Sequence, residues 1–256
     1  MPEKHKKIGS RNGVTLTPFI LKNGDLVRNP ENALSRVIKK DSFLAKLAYE
    51  FRGIEVQLQN FARMMFPTVK PAGSYNCTFR LVPTRSEGLH FDYFAEGSPM
   101  DNSAPKTRVK IFLNLDAVDR VWRVGPTLPD FLKISRGVLP DVLPADLNTL
   151  NYLIDRIGNA ERCAAVEVRI PPGGAVIANG ATVGHEIVYG NRMAAIEIVG
   201  ENTAFVNGFE GERRASVQWM KDAGYELSTD FDGILKSLEG VPSGIDRAKE
   251  RLSAIA

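Results

Sequence analysis

The chain has 256 residues, of which 43% are hydrophobic and 25% charged, as expected for a globular protein with one sizeable core. Its 33 basic and 30 acidic residues leave a net charge of only +3. This balance, without a basic run interleaved with aromatics, argues against nucleic acid binding. No apolar stretch has the length of a signal peptide or a membrane span. We therefore expect a cytoplasmic protein, and no pattern fixes its oligomeric state.

The N-terminal part of the chain, residues 14–74, is predicted to hold a hairpin and a helical support. Residues 14–27 alternate as in a β-hairpin, with Asn23-Gly24 at the turn. Between residues 31 and 66 the apolar residues recur at helical spacing. This spacing predicts one long helix, or two consecutive helices, packed outside a sheet.

From residue 75 to residue 200 the pattern changes to short apolar or alternating runs, separated by Pro, Gly, Asn and Asp. The runs cover residues 76–82, 89–94, 108–115, 120–124, 164–170, 175–178, 183–188 and 193–199. They predict a mainly β fold with flanking helices, as a sandwich or barrel.

Two further segments complete the predicted single domain, which spans residues 1–256. Residues 128–162 interrupt the strand series and contain a helical pattern, so we expect an insertion that covers one end of the barrel. Residues 201–256 are predicted to form a loop followed by a helix, which finishes at residues 245–255.

One of the predicted strands carries two groups that can bind a metal. His90 and Asp92 are two residues apart, and residues at this spacing on a strand point to the same face. Leu89, Phe91 and Tyr93 then face the other way. An imidazole and a carboxylate on one face supply two ligands of a site that leaves positions open on Fe(II).

The third ligand has to come from another part of the chain. His185 lies on a later predicted strand, and it is one of only three histidines in the sequence; the remaining one, His5, lies in the lysine-rich start. Gly184 precedes it, and we expect this glycine to leave room next to the metal. Either feature alone occurs often by chance, but together they predict that His90, Asp92 and His185 share one ion.

This pattern resembles the Fe(II)/2-oxoglutarate-dependent oxygenases. The matching residues are His90-x-Asp92, then His185 after a long gap, then Gly190-Asn191-Arg192-Met193 and an apolar strand. The resemblance implies a double-stranded β-helix, also called a jelly-roll or cupin-like barrel. It also implies Fe(II), 2-oxoglutarate as cosubstrate, O2, and hydroxylation of a C–H bond in a small-molecule substrate. Residues 108–115 and 120–125 are similar to the Kdo hydroxylases, which act on a lipopolysaccharide sugar.

The resemblance also requires a residue that binds the far carboxylate of 2-oxoglutarate. Many relatives use a basic residue about ten positions after the last histidine, whereas Arg192 follows His185 by seven. We rank Arg192 first, because a guanidinium matches a carboxylate bidentately, and Lys110 second. Arg80 is a third candidate, and Asn114 lies on a strand that can face the same pocket.

Two other classes of protein fit part of the same pattern. A cupin-like metal enzyme that does not use 2-oxoglutarate would keep the metal ligands but need no carboxylate anchor. A metal-free jelly-roll module that binds carbohydrate would simply bury both histidines. The two cysteines, Cys77 and Cys163, form no CxxC pair, and we expect them to be free thiols.

Overall fold

The protein is described from a computed structural model. The described residues are 10–11, 14–15, 19–22, 25–28, 41–67, 76–80, 84–85, 89–92, 106–157, 163–201, 209–230, 233–234 and 236. In chain order their elements are β1 (Ser10–Arg11), β2 (Val14–Thr15), β3 (Phe19–Lys22), β4 (Asp25–Arg28), α1 (Asp41–Met65), β5 (Asn76–Arg80), β6 (Thr84–Arg85), β7 (Lys106–Asn114), β8 (Arg120–Thr127), α2 (Leu128–Ile134), β9 (Val142–Pro144), α3 (Leu147–Ile157), β10 (Val166–Ile170), β11 (Ala175–Ala178), β12 (Val183–Gly190), β13 (Met193–Glu201), α4 (Phe209–Asp222) and β14 (Glu226–Ser228).

Two antiparallel sheets form the body of the fold. The larger sheet has six strands in the order β11-β7-β13-β5-β3-β4, and the smaller has four in the order β10-β8-β12-β6. In both sheets strands far apart in sequence are neighbours, so the fold depends on long-range pairing. The architecture is mainly antiparallel β-sheet with flanking helices, as the sequence predicted.

Helix α1 covers one face of the larger sheet. Its residues Phe51, Leu58 and Ala62 share one side of the helix and are buried, and they join Phe79 and Ile111 of the sheet in one apolar cluster. The ring of Phe51 stacks on that of Phe79, with centroids 3.7 Å apart. The predicted helix outside a sheet is therefore confirmed for Asp41–Met65, while residues 31–40 lie outside the described part of the chain.

The other face of the larger sheet meets the smaller sheet. A second apolar cluster fills the space between them, and its buried members are Phe112, Trp122, Ile170, Ile187, Met193 and Ala195. The rings of Phe112 and Trp122 meet edge to face, with centroids 4.8 Å apart. Side chains that point into this space therefore lie between two sheets, in a setting that excludes water.

The predicted insertion lies between β8 and β10 and contains α2, β9 and α3. These elements pack with α4 around a third apolar cluster, which also includes Leu89 and Phe91. Strand β9 pairs in parallel with β14, which ties the insertion to the C-terminal segment. The part of residues 201–256 that is described contains helix α4, and residues 245–255 lie outside it.

Several observed strands differ in their bounds from the predicted runs. The predicted run 120–124 extends to Thr127 in β8, and the run 183–188 extends to Gly190 in β12. The predicted strand 89–94 was wrong for its described part, since only His90 forms a β-bridge, to His185. The hairpin prediction holds for β3 and β4, which pair antiparallel with Lys22 opposite Asp25.

In the described part of the chain, no helix has the length and apolar character needed to span a membrane.

Candidate metal centre

The segment Leu89–Asp92 alternates between the core and the site, as the two-residue spacing requires. Leu89 and Phe91 are 5% and 1% exposed and belong to the apolar core, whereas His90 and Asp92 point the other way. His90 exchanges backbone hydrogen bonds of 3.0 and 2.9 Å with His185. The orientation predicted from the sequence is therefore confirmed for these four residues, although the segment is extended rather than a regular strand; Tyr93 lies outside the described part.

His185 on β12 completes the group. Its ring centroid lies 4.5 Å from that of His90, and its Nε2 atom lies 3.9 Å from Oδ1 of Asp92. One candidate ligand atom from each of His90, Asp92 and His185 lies within 4.8 Å of the other two. The predicted convergence of these three side chains is thus confirmed, and their binding of a metal remains a prediction.

The hydrogen bonding of His185 suits a metal ligand. Its Nδ1 atom lies 3.1 Å from the carbonyl oxygen of Val183, and because a carbonyl only accepts, Nδ1 must carry the proton. The Nε2 lone pair is then directed towards Asp92 and available to a cation. Burial, followed by the proximity of His90, lowers the pKa of His185 to about 4. The imidazole is therefore neutral at physiological pH, as a ligand has to be.

The glycine that makes room at the site is Gly180, which corrects the prediction for Gly184. A Cβ atom on Gly180 would lie 2.7 Å from Cε1 of His185 and closer still to the Asp92 carboxylate. A Cβ on Gly184 would instead lie 3.4 Å from the Phe91 ring and 3.5 Å from the carbonyl oxygen of Pro126. The reason lies in the loop after β11, where the Gly180 carbonyl accepts the Asp92 N–H at 2.7 Å and so brings this backbone against the ligands.

Lys110 lies directly beside the candidate metal ligands. Its Nζ atom donates to Oδ2 of Asp92 at 2.8 Å and lies 4.0 Å from Oε1 of Glu197. Since Lys110 engages Oδ2, the other oxygen, Oδ1, remains on the side of His185. Lys110 is one of the predicted anchors for 2-oxoglutarate, and the structure places it against the carboxylate ligand instead of deeper between the sheets.

Of the other predicted anchors, Arg192 and Asn114 are not brought to the three candidate ligands. Arg192 is exposed at the turn between β12 and β13, where its backbone N–H donates to Asp116 at 3.0 Å. Asn114 is buried, and its amide nitrogen donates to the carbonyls of Val118 and Ile170 at 2.8 and 2.9 Å. Arg80 is described only through its backbone, opposite Met193.

Two residues on the inner face of β8 were not among the metal ligands and 2-oxoglutarate anchors predicted from the sequence. Trp122 is 1% exposed and its ring stacks on that of His185, with centroids 5.7 Å apart. Arg120 precedes it by two residues, faces the same way along the strand, and is also 1% exposed. Its guanidinium lies over Gly190, where any Cβ would collide with it. In the sequence, Arg120 could have been found from its position two residues before Trp122 in the predicted strand 120–124, because this spacing places both side chains on one face.

The comparisons with known proteins are limited to solved structures, since neither a protein-family model nor a curated protein matches the chain. The Kdo hydroxylase KdoO, a non-heme Fe(II) alphaketoglutarate dependent dioxygenase, matches in complex with succinate and Fe(III). The TM-score is 0.54 at 16% identity, over 90% of this chain and 84% of that one.

Two further KdoO structures cover the same shares of both chains. The cobalt(II) complex gives a TM-score of 0.55 at 15% identity, and the complex with alphaketoglutarate and Fe(III) gives 0.54 at 16%. At this identity the comparison shows a shared fold. It confirms the predicted resemblance to the Kdo hydroxylases at that level.

Proposed function

We propose that the chain is a non-haem Fe(II)/2-oxoglutarate-dependent dioxygenase that hydroxylates a C–H bond of a small molecule. The observation that carries the proposal is the convergence of two imidazoles and one carboxylate, with ligand atoms within 4.8 Å of one another. This donor set favours a divalent metal such as Fe(II) and leaves coordination positions open. The shared fold with KdoO, itself such a dioxygenase, supports the same reading.

The strand order supports a double-stranded β-helix. Strands β7, β13 and β11 of one sheet face β8, β12 and β10 of the other, and from β10 to β13 each successive strand lies in the sheet opposite the one before it. The candidate ligands lie at one end of the space between the sheets, next to the loop at Gly180. Strand β12 carries His185, and the backbone hydrogen bonds between His90 and His185 hold the extended segment beside it, which favours a fixed metal geometry.

When bound, Fe(II), 2-oxoglutarate and O2 supply the oxidising power, and the balanced outcome is succinate, CO2 and a substrate in which C–H has become C–OH. The residues of the chain set the geometry for this chemistry. The Val183 carbonyl fixes the His185 ring, and Lys110 engages one oxygen of Asp92. Trp122, a member of the apolar cluster between the sheets, packs against the His185 ring.

For the far carboxylate of 2-oxoglutarate, the structure favours Arg120 over the anchors ranked from the sequence. Arg120 is buried on the inner face of β8, two residues from the Trp122 ring that stacks on His185. A guanidinium on this inward face can pair bidentately with a carboxylate held between the sheets. Arg192 is exposed and Lys110 contacts Asp92, so both remain secondary candidates.

The experiment that tests the function combines a spectrum with a product assay. Fe(II) is added without oxygen, 2-oxoglutarate is titrated, and the weak visible charge-transfer band is recorded; O2 is then admitted and succinate is measured. We expect both signals in the wild type and neither in His90→Ala or His185→Ala. A chain that binds Fe(II) but gives neither band nor succinate would instead be a cupin-like metal enzyme without this cosubstrate.

A further inference from the structure

Asn151 is a polar residue on the side of helix α3 that packs into the core. Leu147, Leu150 and Ile154 occupy positions i, i+3 and i+7 of the buried stripe, and Asn151 occupies position i+4 of the same stripe. It is only 1% exposed. A buried amide at a position that suits an apolar residue calls for a reason other than packing.

The contacts of Asn151 lead to the metal centre. Its Nδ2 atom donates to the backbone carbonyl of Asp92 at 2.9 Å and to that of Ala181 at 2.8 Å. Asp92 is the candidate carboxylate ligand, and Ala181 follows Gly180, whose carbonyl accepts the Asp92 N–H. One amide group from the inserted helix thus joins the two backbone segments that set the position of the carboxylate.

The amide oxygen of Asn151 is not paired as its nitrogen is. Its Oδ1 atom is buried and has no hydrogen-bond partner among the described residues. An unsatisfied buried acceptor is unfavourable for folding. The arrangement therefore fits a residue that is retained for the two bonds donated by Nδ2.

We propose that Asn151 is a positioning residue that fixes the carboxylate ligand Asp92, and that helix α3 thereby forms part of the metal centre. The inference rests on the proposed metal site. Asp92 is then held from two sides, with its carboxylate oxygen Oδ2 bonded to Lys110 and its backbone carbonyl bonded to Asn151. Reciprocally, a bound metal should stabilise α3, because coupling between two sites acts in both directions.

The test is the affinity for Co(II), measured calorimetrically without oxygen, in the wild type and in Asn151→Leu. Leucine is of similar size and apolar, so the variant removes the two hydrogen bonds while keeping the core filled. We expect Co(II) binding to weaken about tenfold to a hundredfold, the usual effect of losing a residue that orients a metal ligand. Leu58→Ala is the control, because it opens a cavity in the separate apolar cluster beneath α1, outside the metal centre, and should leave Co(II) affinity unchanged.

Three results separate the explanations. Equal Co(II) affinity in Asn151→Leu and the wild type, even with a lower melting temperature, would reduce Asn151 to a structural role and overturn the inference. The same would follow if Leu58→Ala weakened binding as much as Asn151→Leu, because the loss would then reflect general destabilisation. A wild type that does not bind Co(II) would remove the proposed metal site, and the inference with it.

A measurement on the wild type covers the case in which Asn151→Leu does not fold. Hydrogen exchange of residues 147–157 is recorded with and without saturating Co(II). We expect slower exchange in this helix when the metal is bound, and identical exchange in the two samples would contradict the inference.

Discussion

At the scale of single residues, some features of the site could be predicted from the sequence and others could not. The orientation of His90 and Asp92 was predictable, because alternation along an extended segment is a local property of the backbone. The role of Gly180 was not predictable, because it arises only when the loop after β11 comes against Asp92. The sequence favoured Gly184 because it directly precedes His185. A Cβ atom on Gly184 would, however, face the Phe91 ring.

The two glycines form a matched pair of variants. In Gly180→Ala the new methyl group would collide with the Asp92 carboxylate and with His185, so we expect Co(II) affinity to fall at least about tenfold. In Gly184→Ala the methyl group reaches only van der Waals contact, at 3.4 Å with Phe91 and 3.5 Å with the Pro126 carbonyl, and binding should be retained. Calorimetric titration of both variants measures the difference, and equal affinities would contradict the assignment of Gly180.

The cysteines give a second expectation at this scale. Burial, and then the charge of Glu55, raises the pKa of Cys77 to about 12, and burial also raises the pKa of Cys163. Because the thiolate is the reactive form, a raised pKa leaves almost none of it at pH 8. We expect a thiol reagent at pH 8 to label both residues slowly in the folded protein and rapidly after denaturation. Fast labelling of the folded chain would contradict the burial of these thiols.

At the scale of elements, the sequence predicted most of the strands but not the pairing between them. Alternation and turn residues were enough to locate β7, β8, β12 and β13 to within a few positions. Which inward-facing side chains become neighbours depends on the register between strands distant in sequence, such as β8 with β12. That register brings Arg120 to Gly190, and no local pattern contains this information.

Variants of two arginines can identify the residue that binds the far carboxylate of 2-oxoglutarate. Arg120→Met removes a buried guanidinium, and hydrogen bonds to charged groups contribute about 1.5–3 kcal/mol. We therefore expect 2-oxoglutarate to bind about tenfold to a hundredfold more weakly to the Fe(II)-loaded variant, as followed by the visible band. Arg192→Met changes an exposed side chain and should bind normally. The reverse result would restore the ranking made from the sequence.

At the scale of the whole molecule, the proposed ion joins the extended segment Leu89–Asp92 to β12, which follows much later in the chain. The sequence predicted the mainly β class, the outer helix and the insertion, because each follows from the period of the apolar residues. It could not predict that Asn151 of the insertion would bond to Asp92, since this contact depends on how the insertion packs.

A metal that binds only the folded chain should raise its melting temperature. At a concentration a hundred times the dissociation constant, binding adds about 2.7 kcal/mol. For a chain of this size that corresponds to an increase of about 5–10 °C. We expect this shift with Co(II) in a thermal melt and its loss after a chelator is added. An unchanged melting temperature at saturating Co(II) would argue against a site formed by distant segments.

The most direct test of the metal centre is the stoichiometry of Co(II) binding in histidine variants, measured by anaerobic titration calorimetry. The chain has three histidines, so His5→Ala provides a matched control for His90→Ala and His185→Ala. We expect one Co(II) per chain in the wild type and in His5→Ala, and no comparable binding in the other two variants. Wild-type binding that persists in His185→Ala would show that the three side chains do not share an ion.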